Sequence, residues 1–195
     1  MTAGSRRRTV AILLATAFIA ACSGIPLASI PRLIKLQGQL LDANPGEFMF
    51  AVQLDARMAP PTGAVPMIEL TIRPAQPGAF DVVDERIPMR LTVAPGATLG
   101  LEAPEAGRTW LIYSLPPESQ ATLARIQATF KRLQAERDRN KGGSVTIGIA
   151  QDGLAARDPK FADTPWESWL QMSRQDGFFK IWSGTVGDLL EIAKT

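Results

Sequence analysis

No histidine occurs anywhere in the 195 residues, and the one cysteine is Cys22. These two absences remove whole classes of chemistry. Ser-His-Asp and Cys-His catalysis need an imidazole to move the proton. Zinc sites of the Cys/His kind need ligands that are not there. One cysteine allows no intramolecular disulfide, even where the compartment would permit it. Any catalysis would fall to carboxylates, lysines, the one tyrosine, hydroxyls or a metal held by oxygen. Glycine-rich phosphate loops and nucleophile elbows are missing as well. Charge of one sign is lacking: 21 Lys and Arg oppose 19 Asp and Glu. The basic side chains are scattered, with no aromatic-interleaved patch, so nucleic acid is not an expected partner. The apolar run over residues 10–21 is a dozen residues long, short of the roughly 20 that a membrane-spanning helix requires.

That run is nevertheless organised. Arg6, Arg7 and Arg8 precede it, and the small residues Ala20 and Ala21 end it just before Cys22. A positive start, a short apolar middle and small residues at a cut form the layout of a secretory signal peptide. A buried helix of the folded domain is the duller reading, but the run offers no polar face to water. Ile19-Ala20-Ala21-Cys22 resembles the lipobox of bacterial lipoproteins. The resemblance covers residues 1–22 and implies nothing about the fold that follows. It implies that the Cys22 thiol receives a diacylglycerol, that residues 1–21 are removed, and that the new amino group is acylated. Stable anchoring takes more than one acyl chain, at about 0.8 kcal/mol per buried CH₂, and such a cysteine carries enough. Ser23, where an aspartate would favour retention in the inner membrane, implies an outer-membrane destination. Arg6-Arg7-Arg8-Thr9-Val10 partly resembles a twin-arginine signal, and the general secretory route is preferred. With residues 1–21 gone, 174 residues remain, carrying 18 basic and 19 acidic side chains after the loss of three arginines. The basic pI of the precursor is thus partly a property of its leader.

Residues 22–40 read as lipid anchor and tether. Pro26 and Pro31 disfavour helix there, and Ile25, Leu27, Ile30, Leu33, Ile34 and Leu36 are greasier than a free linker needs. Packing on the domain, as an edge strand, is preferred over lying on the bilayer surface. Residues 41–195 read as one domain, large enough to bury a core. From Phe48 the apolar period is two, with Phe48, Phe50, Val52 and Leu54 on one side, which predicts a half-buried strand. Ile68, Leu70 and Ile72 predict another, and Phe80, Val82 and Val83 a short one. Ile87, Met89, Leu91 and Val93 predict a strand that Pro88 moves towards a sheet edge. Residues 110–113 and Val145, Ile147 and Ile149 predict two more. Between these, Leu123, Ile126, Phe130 and Leu133 form one apolar stripe of a helix entered at Pro116-Pro117. Gln175-Asp176-Gly177 between two apolar runs predicts a hairpin. Thr185 and Asp188 predict a capping box for a short last helix. The expected fold is α+β and mainly antiparallel: two packed, sandwich-like sheets, one long amphipathic helix covering or joining them, and a short C-terminal helix.

Three groups of side chains stand out. Asp81, Asp84 and Glu85 could hold calcium or supply acid/base catalysis, but read first as a charged turn neutralised by Arg86 and Arg90. Asp152, Asp158 and Asp163 read as turn formers beside Gly153 and Pro159. The third group is aromatic, and Trp166, Trp169, Phe178 and Trp182 are its candidate partner-binding residues, with Phe179 beside them. Strand alternation predicts Phe179 and Ile181 on one face, Phe178 and Trp182 on the other. A core wall is the preferred reading; otherwise one face is expected in the core and the other against a partner or the long helix. No catalytic residue, metal site or cofactor is expected. The domain belongs, by resemblance of class, with bacterial envelope lipoproteins, which names no activity. The expectation is a non-enzymatic binding or structural module, lipid-anchored at the periplasmic side of the outer membrane, with an envelope protein as partner. Rival expectations are a carboxylate-dependent hydrolase of cell-wall carbohydrate and an apolar-ligand carrier.

Overall fold

The structure is a computed structural model that describes residue 39 and residues 42–74, 76–78, 80–92, 98–135, 143–155 and 157–194. The leader, Cys22 and all of the tether except residue 39 lie outside the described residues. So do Val93 and the side chain of Leu133.

Among the described residues eight strands form two antiparallel sheets. They are β1 (Met49–Asp55), β2 (Met67–Pro74), β3 (Val83–Pro88), β4 (Arg90–Thr92), β5 (Arg108–Ser114), β6 (Gly143–Ala150), β7 (Pro165–Gln171) and β8 (Phe179–Thr185). One sheet has the order β4-β5-β1-β7-β8 and the other β3-β2-β6. Helix α1 (Pro117–Ala135) carries the chain from β5 in the larger sheet to β6 in the smaller, and α2 (Val186–Ile192) follows β8. The architecture is α+β and mostly β, as the patterning predicts. Among the described residues no helix is long and apolar enough to cross a membrane.

The main core lies between the sheets. Phe50, Val52 and Leu54 from β1 meet Ile68, Leu70 and Ile72 from β2 and Ile87 from β3. The α1 stripe of Leu123, Ile126 and Phe130 docks on the same core. Two buried α1 side chains fix the helix to the strands and the N-terminal stretch: Ser119 Oγ donates to Pro88 O (2.7 Å) and Gln127 Nε2 to Ala43 O (2.9 Å). At the other end, α2 begins with the expected capping box, Thr185 Oγ1 accepting from Asp188 N (3.1 Å).

Two expectations are corrected. β1 is buried on both faces rather than one, because a second, smaller core covers the outer face of the larger sheet. Ala51, Ile112 and Phe178 form it, with Met49, Leu101, Trp110 and Trp169 packed around. Two loops interlock to close it. Phe178 N donates to Leu99 O (2.8 Å). Gly100 and Gly177 both have positive φ, and a Cβ on either would meet the opposite loop's backbone, at 2.3 Å and 2.6 Å respectively. The second correction concerns residues 87–93, which do not make one strand. Pro88, which has no N–H to give, ends β3 in the small sheet, Met89 is buried, and β4 starts at Arg90 in the large sheet. The chain changes sheet at Met89, whose N–H goes to Pro66 O (3.0 Å).

Candidate functional site

The four aromatic side chains expected to serve a partner do not form one patch. Trp166 is fully buried in the main core, where its Nε1 donates to Gln151 Oε1 (3.1 Å) and Ser168 Oγ (3.2 Å). Ser168 Oγ in turn donates to the same Gln151 oxygen (2.7 Å). This buried triad ties the end of β6 to β7, so the Trp166 ring offers no surface. Phe178 is buried in the second core. Trp169 lies on the outer face of the large sheet, edge-on to Trp110 with ring centroids 5.8 Å apart.

Trp182 stands apart from Phe178, contrary to strict alternation. The pairing of β7 with β8 slips between Ser168 and Trp169, so Ser168 faces Trp182 while Trp169 faces Lys180. A bulge of this kind places an extra residue in one strand and turns side chains to the other face. Phe179, Ile181 and Trp182 consequently all pack towards the main core. Trp182 also folds over Gly184, where a Cβ would come within 2.7 Å of its ring.

Trp182 and Ile181 line a groove of about 710 Å³ that separates the two sheets along one side. Its walls are β6, through Ile147, Gly148 and Ile149, and α2, through Leu189 and Ile192. Ile192 is 56% exposed at the rim. The charged lining is sparse: Glu69 and Arg86, paired at 2.9 Å, and Asp152. Glu69 and Arg86 sit on neighbouring strands opposite one another, and Glu69 also pairs in register with Gly148. Sequence reasoning placed Ile147 and Ile149 in a strand but not in a groove. The available signal was the absence of any charge between Gly143 and Ala150.

A second arrangement lies on the outer face of the large sheet. Glu167, with 16% side-chain exposure, is ion-paired to Lys180 and lies 3.5 Å from Arg108, itself 10% exposed. Arg108 also donates to Gln53 O (2.8 Å) and Glu105 (2.9 Å). Lys180 Nζ stands 5.0 Å from the Trp169 ring centre, within the range of a cation–π attraction. Gln53 Oε1, Arg108 Nε and Trp169 Nε1 are buried here with no hydrogen-bond partner among the described residues. A smaller hollow, of about 220 Å³, lies between α1 and the β3 edge, lined by Ile72, Val83, Ile126 and Phe130 among others.

The carboxylate groups do not converge. Asp84 takes a hydrogen bond from Thr71 (3.3 Å), whereas Glu85, next along β3, lies 3.7 Å from Arg125 of α1. Asp152 opens one 3-10 turn, Asp158 caps another, and Asp163 is exposed. Among the described residues no group of three His, Cys, Asp or Glu side chains is placed to hold a metal ion. Hydrogen bonds from Lys160 and Thr185 hold Asp158 and Asp188 below the usual carboxylate range, and those from Arg57 bring Asp55 to about 2. These three are local turn and cap interactions away from the groove. Burial pushes the Tyr113 phenol up to about 12. Among the described residues the groove offers apolar surface, the sheet-edge strand β6 and a few fixed charges. No protein-family model, curated protein or solved structure matches this chain.

Proposed function

We propose that this chain is a lipid-anchored protein of the bacterial cell envelope that binds a protein partner in the groove between β6, β8 and α2. In this reading residues 1–21 direct export, Cys22 carries the lipid, and the domain works at the periplasmic side of the outer membrane without catalysis. The lipobox resemblance of Ile19-Ala20-Ala21-Cys22 supports the anchor. The observation that carries the binding role is the groove itself: Ile147, Ile149, Ile181 and Trp182 are only partly buried, and Ile192 is exposed at the rim. Large apolar hollows with a few convergent polar groups are the usual seats of ligands and partners.

Two substitutions test the two halves. Cys22→Ala should leave an unlipidated precursor that is not cut, read by acyl labelling with and without a signal-peptidase inhibitor. Normal processing of that variant refutes the anchor. Gly148→Lys should abolish capture of the partner in crosslinked envelopes while the melting temperature holds. A Cβ at Gly148 meets only Glu69 Oε2, at 4.0 Å, so the fold tolerates the side chain while the groove receives a charge. Undiminished capture by Gly148→Lys refutes the groove as the binding surface.

A further inference from the structure

We infer that the groove takes its partner as an added β-strand on β6, and that the occupant is an extended segment of another envelope protein, uncharged except for one basic residue at an end. The inference rests on the proposed binding role of the groove and specifies its partner. It starts from a comparison of sheet edges. The two sheets have four edge strands, β3, β4, β6 and β8. An open edge presents unpaired N–H and C=O groups, and proteins blunt it with charge, proline, bulges or shortness. β3 carries Asp84, Glu85, Arg86 and Pro88. β4 has three residues. β8 carries Lys180 and faces the register slip at Ser168 and Trp169. Among the described residues β6 has none of these devices. Its eight residues, Gly143–Ala150, hold no charge and no proline, and β-branched Val145, Thr146, Ile147 and Ile149 keep the strand extended.

The geometry beside β6 matches an added strand. In an antiparallel ladder the residues that do not bond β2 turn their N–H and C=O outward, here towards the groove. One face of an incoming strand would lie over Ile181, Trp182 and Leu189, which calls for aliphatic residues at alternate positions. The other face would pass Gly148, whose missing side chain leaves room for a large cross-strand neighbour. An aromatic residue fits there, reaching over glycine to the Glu69–Arg86 pair. Asp152, just beyond the strand, makes no ion pair among the described residues and lines the groove. Glu69 is already neutralised by Arg86. Charge complementarity therefore asks for a lysine or arginine at one end of an otherwise uncharged segment.

The test uses the full-length lipidated protein in its own membranes, with a benzophenone amino acid placed at Thr146, exposed on β6, or at Ile192, exposed on α2. The crosslinked peptide is identified by mass spectrometry and then synthesised. The expected result is a crosslink at Thr146 to a segment of another envelope protein with alternating aliphatic residues. The synthetic peptide should then slow amide exchange on β6 by about tenfold or more, as new backbone hydrogen bonds imply. Crosslinking at Ile192 with no β6 protection overturns strand addition and leaves the groove reading standing. A Thr146 crosslink to a second copy of this chain, or to its own residues 22–40, overturns the proposed occupant. Absence of crosslinks at both positions refutes the strand addition and the groove reading together.

Discussion

Gly100→Ala is expected to unfold this domain far more readily than the same substitution at Gly63, although both glycines have nearly the same backbone. Their φ angles are +86° and +81°. An L side chain in that left-handed region costs about 1–2 kcal/mol, partly offset by the roughly 0.4–1 kcal/mol that alanine takes from the freedom of the unfolded chain. At Gly63 nothing lies within 4 Å of an added Cβ, so the conformational cost stands alone, on the order of 1 kcal/mol. At Gly100 the Cβ would sit 2.3 Å from Phe178 O and 2.8 Å from Phe178 N. Those atoms belong to a backbone held by the Phe178 N to Leu99 O hydrogen bond, so neither loop yields without opening the second core. Overpacking of that kind adds about 1–3 kcal/mol. A domain of this size loses about 2–4 °C of melting temperature per kcal/mol. Gly63→Ala should therefore melt a few degrees below the parent, and Gly100→Ala roughly 5–15 °C below it. Gly177→Ala should resemble Gly100→Ala, because its Cβ meets Leu99 O at 2.6 Å. The double variant should cost less than the sum, since one loop displacement relieves both contacts. Thermal melts followed by circular dichroism decide the matter. Equal melting of Gly63→Ala and Gly100→Ala would mean that the loops do not interlock as described.

Tyr113 is the one tyrosine, and burial raises its pKa to about 12. An unfolded chain ionises it near 10, so stability should be unaffected below about pH 10 and fall as pH rises towards 12. Phenolate absorbance should appear together with loss of the β-sheet circular dichroism signal; a phenolate forming near pH 10 in an intact fold contradicts the burial. Gln151→Leu removes the oxygen shared by Trp166 and Ser168. It should cost about 1–3 kcal/mol in urea unfolding followed by tryptophan fluorescence, and an unchanged midpoint would show that the triad contributes nothing.

The regular elements were legible because their periods are local. Leu123, Ile126 and Phe130 dock as the helical stripe requires, and the Thr185–Asp188 box needs only four residues to be seen. What escaped was decided by contacts distant in sequence. Nothing near Ala51 announces that the loop at Leu101 and the turn at Phe178 will cover it. The bulge opposite Trp169 is set by how two strands meet, so alternation along β8 alone misplaced Trp182. The aromatic cluster of the sequence was a cluster in number only. Its members occupy the main core, the second core, the outer sheet face and the groove. Of the candidate site, the sequence carried the uncharged strand, but its place at the end of a sheet among the described residues, beside a groove, depends on the sheet order.

The energetics of strand addition bear on why such an edge would work at a membrane. An eight-residue strand turns about four residues outward. Each backbone hydrogen bond contributes about 0.5–1.5 kcal/mol net, and a few aliphatic side chains laid over Ile181 and Leu189 add about 1.5–3 kcal/mol each when fully buried. Association from free solution costs about 4–15 kcal/mol in lost translation and rotation. The gains and the cost are of the same order, so anything that lowers the cost of association shifts binding strongly. On the proposed reading, both partners share one membrane, and confinement raises the effective concentration of each for the other. A bare, uncharged edge then binds selectively where the partner is tethered beside it, and weakly elsewhere. The unlipidated domain should therefore bind the same segment far more weakly in solution than the anchored protein binds it on a shared vesicle. Equal apparent affinity in both settings would remove confinement from the explanation and require far stronger contacts than β6 and its groove provide.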